Sequence, residues 1–346
     1  MSLNSTIWDT FALHYDKRLN GTTAGERTQP IPFSEIDKNI GLPGVYYDHP
    51  KLRPGNGPRI FYHGQKTKDV IVLTHGFTDS PFYMQEVAAC FFREGCNVLL
   101  PLLPAHGLKD PSKAILEQDL DIKWREMIDA SVDVAHLLGE RVSIGGFSTG
   151  GALSLNKIVR HGEDIQGGLF LFSAALSLGK ILDVIGHSKV VDWLAGVFLD
   201  RMAIEGEGPN PYKYPVLPNA VASEIIEIIQ ENKEKIAEVG PLTQAVFAAH
   251  SYHDTTAEIE GVIDFLAQYV PSDKQLFYPI HDKVTHSSLP LRNSITLNLD
   301  LIGQHEKDPE KIKKEQQEWI NNVAANPHFD DMMSQAIGFF REKVCK

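Results

Sequence analysis

Cysteine is scarce: only Cys90, Cys96 and Cys345 occur in 346 residues. An odd, scattered set of this kind frames neither a disulfide scaffold nor a metal site, and Cys90 and Cys96 read as core thiols. Long hydrophobic runs are missing. No stretch approaches the ~18 apolar residues of a membrane span, so no integral membrane association is expected. The N-terminus carries neither the basic nor the apolar region of a secretory signal, which makes a cytoplasmic location the expectation. Positive charge is in deficit, with 33 Lys and Arg against 45 Asp and Glu, a formal net charge of −12. That balance excludes a nucleic-acid footprint and favours solubility. Neither G-x-G-x-x-G nor a phosphate-binding glycine loop is present, so no nucleotide cofactor is expected. His250 and His253 have no third ligand nearby in sequence, so no metal is expected there either. There is no internal repeat and no low-complexity tract.

What is present is an ordinary globular composition, long enough for a substantial core. Residues 1–57 are polar and rich in Gly and Pro with few periodic segments, and read as an extension leading into an edge strand near Gly44–Tyr47. Strands are expected at Arg59–His63, Lys68–His75, Cys96–Leu100, 141–147, Gly168–Ser173, 243–251 and 274–280. Helices alternate with them at 80–94, 117–138, after residue 148 and at 257–269. This alternation predicts an α/β protein with a mostly parallel central sheet flanked by helices. Residues 176–240 break the rhythm: an apolar run, a Pro/Gly/Tyr-rich stretch, then a helical pattern. The domain reading is an N-terminal extension at 1–43, a core at 44–175 and 241–346, and an inserted helical cap or lid at 176–240. Residues 289–327 are polar, with a charged helix expected at 308–322, and a closing helix is expected at 329–344.

The chemistry centres on Gly146-Phe147-Ser148-Thr149-Gly150. A β-branched run precedes it and small residues follow, which is the G-x-S-x-G pattern of a serine on a sharp strand-to-helix turn. Glycines at both flanks spare the tight turn a clash. Such a serine needs a base and an acid that orients the base, and in elbow-bearing sheets the chain order is serine, acid, histidine. Asp254 follows strand 243–251 and is the acid candidate, against the alternative of an Asx-turn or helix cap. Two histidines follow strand 274–280. His286 leads because its loop is long enough to swing back over the sheet edge, with His281 as runner-up. Two backbone N–H groups are needed for a developing oxyanion: Thr149 follows the serine, and Phe77 follows Gly76 in the loop after strand 68–75. His75 and His106 read as structural. The interval between Ser148 and Asp254 exceeds one strand and one helix, which the cap accounts for.

Together His75-Gly76-Phe77, Leu103-Pro-Ala-His-Gly107, Gly146–Gly150, Asp254, His286 and Tyr214–Ala220 resemble the α/β-hydrolase superfamily, in its carboxylesterase and monoacylglycerol-lipase-like branch. The resemblance spans roughly residues 44–344. It implies a serine hydrolase acting on a small-molecule carboxylic ester through Ser148, Asp254 and His286, with no cofactor. Gly76, Trp193 and Phe198 are the expected substrate contacts. An aminopeptidase or amidase (with Glu205 and Glu207 as candidate amine anchors), an acyltransferase, and a catalytically silent binding module are the alternatives. Monomer and homodimer are both compatible with the sequence. Three departures from the branch stand out: Ser251 and Ala105 replace usual glycines, and segment 289–327 is longer than the usual connection.

Overall fold

The apolar run Val70-Ile71-Val72-Leu73 forms the middle of the sheet, and all four side chains are fully buried. Alternation along a strand sends Val70 and Val72 to one face and Ile71 and Leu73 to the other. The first pair joins a cluster with Trp124 and Leu153, the second a cluster with Phe91 and Met333. A strand buried on both faces reads as continuous apolar sequence for this reason. The computed structural model describes residues 3–20, 27–36, 41–111, 119–177, 208–214, 219–302 and 308–346.

Among the described residues nine strands form one sheet: β1 (Ile31–Pro32), β2 (Gly44–Tyr46), β3 (Arg59–Phe61), β4 (Thr67–Thr74), β5 (Asn97–Leu100), β6 (Gly139–Phe147), β7 (Leu169–Phe172), β8 (Val246–Ser251) and β9 (Gln275–Ile280). Their spatial order is β1-β2-β3-β5-β4-β6-β7-β8-β9. The pairs from β5 through β9 are parallel, and β1, β2 and β3 add an antiparallel margin. This is the mostly parallel α/β sheet expected from the sequence. Helices Gln85–Arg93 and Phe329–Phe339 cover one face. Helices Leu120–Leu138, Thr149–His161, Asn219–Val239 and Ile259–Tyr269 contribute to the cluster on the other. Strand order reverses at β4, whose neighbours are β5 on one side and β6 on the other. The carboxyl ends of β4 and β6 therefore border the crevice where ligands bind in open α/β sheets.

One expectation is corrected. Residues 1–57 were expected to hold few periodic segments, yet Ser5–Asn20 is a helix. Trp8, Phe11, Ala12 and Tyr15 fall at i, i+3, i+4 and i+7 and are buried against the core. Polar neighbours and the Gly/Pro content downstream dilute this stripe in a composition-based reading. The Trp8 Nε1–H donates to the Thr28 carbonyl at 2.7 Å, Tyr47 Oη donates to Asp16 at 2.8 Å, and the Leu102 N–H donates to Tyr15 Oη at 3.3 Å. Trp8→Ala is expected to destabilise the protein by about 3 kcal/mol, the low end for deleting a buried Trp. The readout is a lowered denaturant midpoint at unchanged m-value; a midpoint left in place would deny this helix a part in the core.

Candidate active site

β6 ends at Phe147, and Ser148 takes φ 53° and ψ −118° before the helix Thr149–His161 begins. That backbone is strained for any L-residue, and strain of this kind persists only where surroundings enforce it. They do so here. A Cβ on Gly146 would stand 2.5 Å from the Thr74 carbonyl oxygen, and one on Gly150 would stand 2.6 Å from that of His75. The Ser148 N–H donates to the Phe172 carbonyl at 3.1 Å, and its own carbonyl accepts from Gly151 and Ala175 at 3.0 and 3.1 Å. The turn is thus pinned from β7 as well as from its own helix.

Asp254 follows β8 and His286 follows β9, in a 3-10 turn His286–Ser288. His286 Nε2 lies 2.9 Å from Ser148 Oγ, and His286 Nδ1 lies 2.6 Å from Asp254 Oδ2. A carboxylate only accepts, so Nδ1 carries the proton and Nε2 is left to accept from the serine hydroxyl. The ring sits 4.7 Å, centroid to centroid, from that of Phe147. Asp254 Oδ1 accepts from the N–H groups of Thr256 and Ala257 at 2.9 and 3.0 Å. The turn-capping and histidine-orienting roles weighed for Asp254 therefore coexist, one on each oxygen. Buried His250 adds a contact the sequence reading did not foresee: its Nε2 donates to the Ala257 carbonyl at 2.8 Å and stands 3.4 Å from Asp254 Oδ2. Burial alone pushes the Asp254 carboxyl up, but the His286 and His250 imidazoles outweigh it and hold the group well below the usual carboxylate range.

His281, the competing histidine, is elsewhere. Its ring stacks on Tyr252 at 4.7 Å and its carbonyl accepts from His253 Nε2 at 3.0 Å. His75 and His106 are buried, and burial lowers both, His106 to about 4. His75 spans Gly76 O and the Leu103 N–H, which ties the two loops at the site together. Ala105, at a position where the branch favours glycine, has φ 66°, the backbone region that explains that preference. Ser251 keeps its turn by accepting the His253 N–H on Oγ at 3.1 Å.

The N–H groups of Phe77 and Thr149 donate to no acceptor among the described residues, and both residues line a cavity of about 440 Å³ that also holds Ser148 and His286. Gly76 directly precedes Phe77 in the chain and is not among the described wall residues; a Cβ there would meet Asp79 Oδ2 at 2.6 Å and Phe147 Cδ1 at 2.8 Å. Trp193, Phe198, Glu205 and Glu207 lie outside the described residues. Asp79, Tyr83, Lys213 and Trp319 are among the wall residues for which the sequence carried no signal. Trp319 is the one buried side chain of helix Pro309–Asn322, which belongs to the long segment after the histidine. Away from the cavity, Asp121, Glu224 and Glu227 bring carboxylate oxygens within 4.8 Å of one another. Arg125 and the Asp121 N–H already engage this group, a structural arrangement.

Residues 65–239, just over half of the chain, match the family described as serine aminopeptidase, S33. The thermostable monoacylglycerol lipase of Bacillus sp. (strain H-257) is 23% identical over 167 residues, a span of 48% of this chain and 64% of that lipase's own length. A solved structure from work on LipS and LipT, two metagenome-derived lipolytic enzymes, superposes with a TM-score of 0.58 at 16% identity, covering 84% of this chain and 100% of its own. A soluble variant of monoglyceride lipase from Saccharomyces cerevisiae, in complex with a substrate analog, gives a TM-score of 0.51 at 12% identity over 81% of this chain and 95% of its own. At these identities the two structures establish the shared fold.

Proposed function

The chain belongs to the serine aminopeptidase S33 family and has the α/β-hydrolase fold, and from that premise we propose that it is a serine hydrolase cleaving carboxylic esters. The observation that carries this reading is the relay Ser148 Oγ, His286 Nε2, His286 Nδ1, Asp254 Oδ2, with successive contacts of 2.9 and 2.6 Å. Ser148 Oγ attacks the ester carbonyl while His286 Nε2 takes its proton, and Asp254 stabilises the imidazolium. The Phe77 and Thr149 N–H groups receive the oxyanion, where one donor is typically worth about 10²–10³ in turnover. His286 then passes the proton to the leaving alcohol as the acyl-enzyme forms. Water, deprotonated by His286, releases the acid and restores the serine.

In this reading residues 176–240 act as the cap. Ile225 and Tyr214 from its described part line the cavity together with Ala175, Trp319 and Val323. These walls favour a moderately apolar acyl chain. An aminopeptidase needs an unneutralised acid to anchor a free amine. Among the described wall residues the carboxylates are Asp79, which is paired to Lys213, and Glu318 on an exposed helix. Glu205 and Glu207, the candidate amine anchors of the cap, lie outside the described residues, so ester and amide are set side by side in the test.

A fluorophosphonate probe is expected to label Ser148, with p-nitrophenyl butyrate turned over at higher kcat/KM than alanyl p-nitroanilide. Mass spectrometry of the labelled peptide reads the first arm and absorbance the second. Absence of labelling in the native protein would favour a silent binding module, and preference for the anilide an aminopeptidase.

A further inference from the structure

One buried imidazole beside the catalytic relay has no step in it. His250 is the penultimate residue of β8. Alternation along the strand sends it to the face of Val246 and Ala248, which belong to the Trp124 cluster. Its side chain is fully buried. The Nε2 atom faces two acceptors, the Ala257 carbonyl at 2.8 Å and Asp254 Oδ2 at 3.4 Å, so Nε2 carries a ring proton. Nδ1 is buried with no partner among the described residues, and an unpartnered buried polar atom bears its full desolvation penalty. A hydrocarbon of similar volume would fill the space without that cost. What the imidazole supplies and a hydrocarbon cannot is the donor at Nε2.

That donor closes a ring of contacts around the acid. The Nε2–H bonds the Ala257 carbonyl and turns the positive end of its dipole toward Asp254 Oδ2. The Ala257 N–H in turn reaches Asp254 Oδ1, beside that of Thr256. His250 therefore bears on both carboxylate oxygens, on Oδ2 directly and on Oδ1 through the backbone of residue 257. Between these two residues Tyr252, His253, Thr255 and Thr256 are exposed, so the loop is fixed by hydrogen bonds more than by packing. His250 itself is not among the described wall residues of the cavity.

We infer that His250 is a positioning residue of the relay: it locks the Asp254 carboxylate at the angle from which Oδ2 accepts the His286 Nδ1–H bond. It acts through Asp254 and touches neither Ser148 nor the space for substrate. The inference rests on the hydrolase reading above for its turnover arm; its spectroscopic arms read the relay whatever the substrate.

The test sets His250→Gln against His250→Leu. Glutamine keeps an N–H near the place of Nε2, and leucine fills the space and removes it. With p-nitrophenyl butyrate, His250→Leu is expected to lower kcat roughly 10- to 100-fold with KM little changed, since a misplacement of about 1 Å can cost about 10²-fold. His250→Gln is expected to recover turnover to within roughly fivefold of wild type, because it restores the hydrogen bond. The downfield His286 Nδ1–H resonance is expected to move upfield in the leucine variant and to return in the glutamine variant. A residue that merely filled space would give the opposite order, leucine near wild type and glutamine impaired; that order, or equal loss in both variants, overturns the inference. Circular dichroism checks folding, and if the leucine variant does not fold, His250→Phe against His250→Gln makes the same comparison. In the unaltered protein nitrogen-15 NMR is expected to find a His250 proton on Nε2, and a ring protonated on Nδ1 alone overturns the inference without any substitution. If the wild type does not hydrolyse p-nitrophenyl butyrate, the ester reading fails, while the tautomer and the His286 resonance still decide the role of His250.

Discussion

Ser148→Ala is expected to lower kcat for p-nitrophenyl butyrate by roughly 10⁶-fold, with KM changed little. The size follows from the chemistry that remains. Without Oγ no acyl-enzyme forms, and His286 is left to activate water alone. The Phe77 and Thr149 donors and the binding walls survive, and residual catalysis from such parts is typically about 10³–10⁴ over water. Stability is expected to hold. Among the described residues the Ser148 side chain bonds to His286 alone, whereas the strained turn is enforced by backbone contacts to β7 and by the two glycines. Alanine keeps the same Cβ and meets the same constraints. Far-UV circular dichroism and the denaturation midpoint check that the fold is retained, so that lost turnover is read as lost chemistry. A variant within tenfold of wild type would mean that another group attacks the ester.

The parts of this site that were legible in the sequence are those written in local chemistry. The β-branched run, the two glycines and Ser148 lie within eleven residues, and each residue type answers to a neighbour in the same turn. Phe77 and Thr149 were legible because a strand-to-helix turn leaves N–H groups unbonded. Asp254 was readable from its place after β8. His286 and His281 could be ranked but not separated, because the choice depends on how the intervening loop travels and on Tyr252, which holds the His281 ring. Asp79 and Lys213 were invisible for a different reason. They are 134 residues apart, and a partly buried ion pair leaves no periodicity in either segment. The helix Ser5–Asn20 carried its stripe openly, but four apolar positions among polar ones weigh little in a composition. Trp319 sits in a charged helix that reads as wholly solvated until its single buried side chain is located.

Asp254→Asn is expected to lower kcat/KM by roughly 10⁴-fold, the scale set by forcing the wrong histidine tautomer in a related array. The direction is dictated by the hydrogen-bond polarity around residue 254. Two backbone N–H groups, of Thr256 and Ala257, point at Oδ1. An asparagine must therefore turn its carbonyl oxygen to them, because its NH₂ would oppose two donors. The NH₂ then faces His286 Nδ1, which can accept only by giving up its proton. The proton moves to Nε2, and the ring can no longer take the hydroxyl proton of Ser148. The same NH₂ also faces His250 Nε2–H, itself a donor to the Ala257 carbonyl. The variant thus loses both the acceptor and the charge beneath the imidazolium. Stability carries a matching pH signature. The Asp254 carboxyl is lowered in the folded protein, so its stabilisation is present above the ordinary carboxylate range, near pH 4, and is lost as pH falls further. The gap in unfolding free energy between wild type and Asp254→Asn is expected to be widest near neutrality and to narrow on acidification below about pH 4. Proton NMR offers a direct check, because the downfield His286 Nδ1–H resonance expected of the wild type should disappear in the variant. Persistence of that signal with full activity would remove Asp254 from the orienting role.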